Sequence, residues 1–341
     1  MARLRVLTWH VHGSYLASLA GVAHDWYLPV KPGRPEGYGG RGSLRADNLH
    51  EVPVEDVADL DVDVVLTQSV RNWTIDRHEI LSPEQLALPR VHLEHDPPQG
   101  HPTDTPHPVH DPEALLVHVT AFNRLMWDSG ATPTRVIEHG VARAEVRATG
   151  ELDRGLVVVN NLARRGRRLG VDVFEQVRHQ VPLDLVGMGA ADLGGVGEVP
   201  RDELAAFSAP YRFFFHPIRY TSLGLAVCEA MMLGLPVVGL ATTELVTVIE
   251  DGRSGYVHTD PEVLVARMGD LLADPDLARA LGDEARRVAE ARFGLERFVA
   301  EWDETLRLAA ATGSGPRNAP SGDHLRGQKV AEATEPTGVT A

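Results

Sequence analysis

The strongest constraint on this chain is an alternation that runs along it twice. Short apolar runs at residues 4–9, 25–30, 62–68, 91–94, 115–120 and 135–137 are separated by stretches of helical spacing. The series restarts with runs at 156–160, 183–186, 213–216, 237–240 and 255–257. Helical patterns at 171–180, 224–233, 261–273, 276–292 and 296–310 lie between and after these runs. Continuous apolar runs suit strands covered on both faces, and strands alternating with helices form parallel sheets. The expected class is therefore α/β, with two Rossmann-like, doubly wound domains in series.

The polar, glycine-containing stretch 148–154 marks the expected boundary. Residues 1–147 form the first domain and 148–311 the second, and the helix at 296–310 is expected to cross back to the first. From Thr312 the text is dense in Gly, Pro, Ser and Thr with little to bury, which predicts a disordered tail over 312–341.

The formal net charge of −15 sets an acidic surface against phosphate backbones, so nucleic acid is not an expected partner. One cysteine, Cys228, precludes an internal disulfide. The opening apolar run is too short for a secretory h-region, and no run is long enough to span a bilayer. A cytoplasmic protein is expected, with peripheral membrane contact left open through an amphipathic face.

The most informative stretch is 216–238, HPIRYTSLGLAVCEAMMLGLPVV. A strand runs into a turn at 221–224, a helix begins at Gly224 and ends at Gly234, and Pro236 stops it from continuing. Helix N-termini carry unpaired N–H groups that attract a diphosphate, and small residues allow close approach. Glu229, further along the helix, suits hydrogen bonds from ribose hydroxyls. A second stretch, 160–168, carries Asn160, Asn161, Arg164, Arg165, Arg167 and Arg168 after the first strand of the second half. Guanidinium groups there would stabilise a departing diphosphate without a metal, although an exposed basic turn is the plainer reading.

These residues resemble the glycogen-synthase-like retaining glycosyltransferases of family 4. Gly224, Leu225, Glu229, Ala230, Met231, Gly234, Pro236, Val237 and Val238 match that family's Glu-Gly-Phe-Gly-Leu, Glu-Ala-Met, Gly-x-Pro-Val-Val pattern. The stretch 249–257 resembles its Asp-Gly-x-x-Gly loop, and 136–141 its Val-Ile-Pro-Asn-Gly-Val hinge strand. The first half resembles the family less. One departure stands out: where the family carries its first motif glutamate, eight positions before Glu229, this chain has Thr221.

The resemblance implies the GT-B arrangement, two domains facing each other across a cleft, and retaining transfer of a sugar from a nucleoside-diphosphate donor, with no bound metal and no cofactor. The acceptor, whether a sugar, a lipid-linked molecule or another small molecule, would enter over the first domain. It implies that Gly13, Asn161, Arg164, Arg165, Gly224, Leu225 and Glu229 hold the donor. His95, Arg165 and Thr221 would face the reacting centre, and His92 competes with His95 for that place. His95, His101, His107 and His110 fit no zinc spacing, and intervening prolines keep the segment extended. The glycine-rich stretch 31–43 is an expected loop, either a phosphate cradle or an acceptor lid, and it lacks the Lys-Ser/Thr ending of a P-loop.

Three rivals remain: another GT-B enzyme such as a nucleotide-sugar epimerase or a phosphorylase, a non-catalytic nucleotide-binding protein, and a dinucleotide oxidoreductase. The last is disfavoured because His10-Val11-His12-Gly13 follows the first strand where a G-x-G-x-x-G would be needed.

Overall fold

The structure, a computed structural model, describes residues 2–313; most of the expected tail lies outside them. Among the described residues the strands form two parallel sheets. The first sheet comprises β1 (Arg5–Thr8), β2 (Asp25–Val30), β3 (Leu49–Pro53), β4 (Val64–Thr67), β5 (Arg90–Glu94), β6 (Ala114–His118) and β7 (Thr134–Val136), in the order β3-β2-β1-β4-β5-β6-β7. The second comprises β8 (Leu152–Val158), β9 (Leu183–Val186), β10 (Tyr211–His216), β11 (Val237–Leu240) and β12 (Gly255–His258), in the order β12-β11-β10-β8-β9. The longer helices are α1 (Gly13–Leu19), α2 (Ala121–Met126), α3 (Val171–Arg178), α4 (Arg201–Ser208), α5 (Leu225–Leu233), α6 (Pro261–Ala273), α7 (Pro275–Phe293) and α8 (Leu295–Gly313).

β3 is the one strand that the apolar runs do not announce. Its text, Leu-His-Glu-Val-Pro, carries only Leu49 and Val52 as buried apolar residues. It pairs along one side with β2 from Trp26↔Leu49 to Val30↔Pro53. Pro53, which has no N–H to offer, is tolerated because β3 lies at the sheet edge.

Each sheet reverses its strand order once, between β1 and β4 in the first and between β8 and β10 in the second. Ligands of open α/β sheets bind outside the carboxyl ends of strands at such points. The fully buried β10 (Tyr-Arg-Phe-Phe-Phe-His) anchors the second, with Phe213 and Phe215 on one face of its sheet and Phe214 on the other.

The chain passes between the cores at 137–141 and again at 293–298. Ile137 packs in the first core, whereas Val141 packs in the second, where its N–H reaches the Phe293 carbonyl at 2.8 Å. α8 then returns to the first sheet, burying Phe298, Trp302 and Leu306 beside Val6, Tyr15 and Leu93. Trp302 Nε1 donates to Tyr15 Oη at 3.1 Å. Gly140 is a tight point, since a Cβ there would lie 2.3 Å from Phe298 Cγ. No described helix is long and apolar enough to cross a membrane.

Phe298→Ala should therefore lower stability by about 3–5 kcal/mol, the usual cost of emptying a buried aromatic site. Denaturant unfolding followed by tryptophan fluorescence would measure it; a loss below about 1 kcal/mol would mean that α8 does not support the first domain.

Candidate active site

A cleft of about 600 Å³ opens between the carboxyl edges of the two sheets. One wall is built by the ends of β8 and β10. Val158, Val159 and Asn160 leave the first strand, and His216, Ile218, Thr221 and Ser222 follow the second. α5 points its N-terminus into this space. Gly224 is its N-cap with no side-chain cap, and nothing lies within 4 Å of where a Cβ would sit. The first turn of N–H groups is thus open to a ligand. Glu229, half-buried, faces Arg201 Nη2 at 3.8 Å. Burial raises its carboxyl pKa, and Arg201 opposes that rise only in part.

The local sequence explains this wall. Gly170 and Gly187 both have positive φ, and side chains there would strike the Pro217 carbonyl at 1.9 Å and Asn160 Oδ1 at 2.8 Å respectively. Backbone segments can therefore pass close together beneath the cleft. Asn160 Oδ1 accepts from Met188 N–H at 2.9 Å, and Asn161 N–H donates to the Met188 carbonyl at 2.6 Å.

The opposite wall comes from the first domain: His12, Gly13, Ser14 and Tyr15 after β1, and His95 and Asp96 after β5. The rings of His12 and His95 meet edge to face at 4.3 Å, and Tyr15 closes on His95 at 4.9 Å. His139 reaches across from the hinge and bonds the Leu223 carbonyl at 2.6 Å through Nε2. Burial holds these imidazoles neutral: His12 is lowered, His95 lies well below the usual range, and His139 and His216 are pushed down to about 4.

Of the residues singled out from sequence, Gly13, His95, Arg165, Thr221, Gly224, Leu225 and Glu229 line this one cleft. Asn161 and Arg164 do not line it. Asn161 takes a left-handed conformation (φ 54°) that turns the chain, and Asn160 occupies the cleft edge instead. Arg164 is exposed. Between the two competing histidines the structure is unambiguous. His92 is buried beneath the cleft with Nδ1 on Thr67 Oγ1 at 2.8 Å, whereas His95 is part of its wall. The loop 31–43 does not line the cleft. It is tied down by Arg34 and the Arg41 N–H on Glu51, and it packs over His10. Sequence reading gave no role to Arg201, Asp96, His139 or Gln68, although His139 lay in the hinge stretch 136–141 and Gln68 ended the apolar run 62–68.

His92, Glu94 and His107 bring ligand-capable atoms within 4.8 Å of one another. Val109 N–H donates to His107 Nδ1 at 3.0 Å, so Nε2 keeps its proton and donates it to Glu94 Oε2 at 3.1 Å. That tautomer suits a hydrogen bond and not a metal–imidazole bond through Nε2. Cys228 is fully buried, and its thiol pKa is driven up by that burial.

Because its folded pKa is raised, the stability contribution of Glu229 is fully present below about pH 4 and is lost as pH rises through the folded value. Glu229→Gln should therefore raise the melting temperature of the ligand-free protein at pH 7 and leave it nearly unchanged at pH 4. Thermal unfolding at both pH values tests this; an equal effect at the two would reject a raised pKa.

Comparison with known proteins agrees with this geometry. Residues 153–274 match the family described as "Glycosyl transferases group 1". A GDP-mannose-dependent alpha-(1-6)-phosphatidylinositol monomannoside mannosyltransferase from Mycolicibacterium smegmatis is 30% identical over 218 residues, covering 51% of this chain and 57% of the relative. The chain thus matches little more than half the length of that protein. Among solved structures, sucrose-phosphate synthase from Thermosynechococcus elongatus superposes with a TM-score of 0.68 at 17% identity, covering 91% of this chain and 100% of the other. Anabaena Alr3699/HepE in complex with UDP-glucose gives 0.67 at 15% identity, covering 90% and 100%. At such identities the likeness establishes the fold, two Rossmann-like domains in the GT-B arrangement.

Proposed function

We propose, from the match of residues 153–274 to the glycosyl transferases group 1 family, that this chain moves a sugar from a nucleoside-diphosphate donor to an acceptor hydroxyl. The observation that carries the reading is the meeting in one cleft of an open helix N-terminus at Gly224, a carboxylate at Glu229 and a guanidinium at Arg165. The diphosphate would lie against the Gly224 and Leu225 N–H groups and Arg165, with the ribose hydroxyls on Glu229. The leaving diphosphate gains negative charge as the glycosidic bond breaks. Fixed N–H dipoles and a guanidinium already in place would stabilise that charge without a metal.

The names of similar proteins include both GDP-mannose and UDP-glucose, so the donor class is taken as nucleoside-diphosphate sugar with the base open. Retention of anomeric configuration fits the family 4 resemblance of Gly224–Val238. The acceptor, a sugar, lipid-linked or other small molecule, would approach from the His12 and His95 wall. Closure of the two domains would exclude water from the reaction.

A thermal-shift titration with UDP, GDP, ADP and TDP, without and with Mg²⁺, tests the reading. A diphosphate at 100 times its Kd stabilises by about 2.7 kcal/mol, and one base should stand out. Stabilisation that requires Mg²⁺ would reject metal-independent binding. No shift with any diphosphate would favour a nucleotide-indifferent descendant of the fold, a reading that Thr221 in place of a carboxylate keeps specific.

Arg165→Ala should weaken the preferred nucleoside diphosphate by about 1.5–3 kcal/mol, the range for hydrogen bonds to charged groups, and weaken the nucleoside hardly at all. Calorimetric titration of both ligands gives the comparison; equal losses would remove Arg165 from the diphosphate site.

A further inference from the structure

Gln68 sits where the first sheet reverses its strand order. It follows β4 directly and is buried, at 3% exposure. Its side chain reaches across to the end of β1, where Nε2 donates to the Trp9 carbonyl at 2.9 Å and to Thr8 Oγ1 at 3.0 Å. A carbonyl only accepts, so the NH₂ end of the amide must face Trp9. Oε1 therefore faces the other way, toward His95 Nε2 at 3.4 Å. A carboxamide oxygen also only accepts, so His95 must donate through Nε2–H, and a neutral imidazole then keeps its lone pair on Nδ1.

The surroundings hold this arrangement from both sides. Residues Asn72–Asp76 form a π-turn, a wide turn that is uncommon and frequent at functional sites. It brings Asn72 Oδ1 onto the Gln68 backbone N–H at 3.2 Å, while Asn72 Nδ2 donates to buried Asp76 at 2.8 Å. The edge contacts of His12 and Tyr15 restrict rotation of the His95 ring. No hydrogen-bond partner for His95 Nδ1 exists among the described residues, and the ring forms part of the cleft wall.

We propose that Gln68 is a positioning residue that locks His95 in its Nε2–H tautomer, so that Nδ1 offers a hydrogen-bond acceptor to a sugar hydroxyl in the cleft. The identity of that ligand rests on the transfer reading; the tautomer does not. Burial keeps the imidazole neutral, so the acceptor persists through the physiological range. The consequence is selectivity by donor count. A sugar whose hydroxyl can donate is favoured, while the deoxy or O-methyl analogue leaves Nδ1 unpaired and is disfavoured.

The test uses the full chain with ¹⁵N-labelled histidine rings. Two-bond ¹H–¹⁵N spectra report which ring nitrogen is protonated, and the His95 signals are those lost in His95→Gln. The expected pattern at pH 7 to pH 8 is a protonated Nε2 and a bare Nδ1. Gln68→Met, similar in length but without the amide, should give a mixture of tautomers. In that variant kcat should fall at least tenfold while nucleoside-diphosphate affinity stays within twofold. A wild-type spectrum with Nδ1 protonated or mixed would overturn the proposal, as would an unchanged tautomer in Gln68→Met. If Gln68→Met does not fold, the wild-type spectrum decides alone. Failure of the wild type to bind any nucleoside diphosphate would strike the transfer reading and leave the spectral result standing.

Discussion

The guanidinium of Arg292, at the end of α7, ties together the parts that make a cleft possible. It bonds Glu138 in the hinge at 2.8 Å, Glu244 in the second domain at 2.9 Å and the Thr247 carbonyl at 2.7 Å. Glu244 is 1% exposed, and its other oxygen accepts from Phe122 N–H of α2 in the first domain at 2.8 Å. Removing Arg292 would leave the buried Glu244 carboxylate without its cation, which costs more than the pair contributes when intact. Arg297 extends the tie by donating to the backbone carbonyls of Glu138 and His139. Two sheets that could pack independently are thereby set with their carboxyl edges facing each other.

That placement divides the cleft electrically. The first-domain wall is rich in imidazoles, and burial disfavours the second, charging proton on His12, His95 and His139. Positive charge is left to the second-domain wall, on Arg165 and Arg201 beside the open end of α5. A ligand therefore meets the two arginines and open N–H dipoles beside the Glu198 and Glu229 carboxylates on one side, and imidazoles beside the Asp96 carboxylate on the other. An acidic protein with a net charge of −15 keeps a cationic patch only by such local arrangement.

Much of this fold was legible because buried parallel strands have a simple text. Phe213–His216 and Val237–Leu240 are too apolar to be anything but interior, and the glycine and proline bracketing of α5 fixed its limits. β3 was hidden because an edge strand is covered on one side only, so Leu49 and Val52 suffice to hold it. In the cleft, residues near a strand end or a helix start could be anticipated, Gly224 and Glu229 among them. Asn160 and Asn161 could not be ranked, because the left-handed φ at Asn161 decides which of the two turns inward. Gln68 gave no signal beyond ending an apolar run, since its importance lies in reaching Trp9 and His95, distant in sequence.

The sequence by itself determined the α/β class, the doubling of the sheet pattern and the motif helix, because these follow from local spacing and from residues with restricted backbone choices. Tertiary structure alone decided which histidine enters the cleft, which asparagine reaches its edge and which side chain meets Nε2 of His95. The physical reason is that hydrogen-bond direction and burial are set by partners brought from elsewhere in the chain. A residue's own neighbours in sequence carry no record of them.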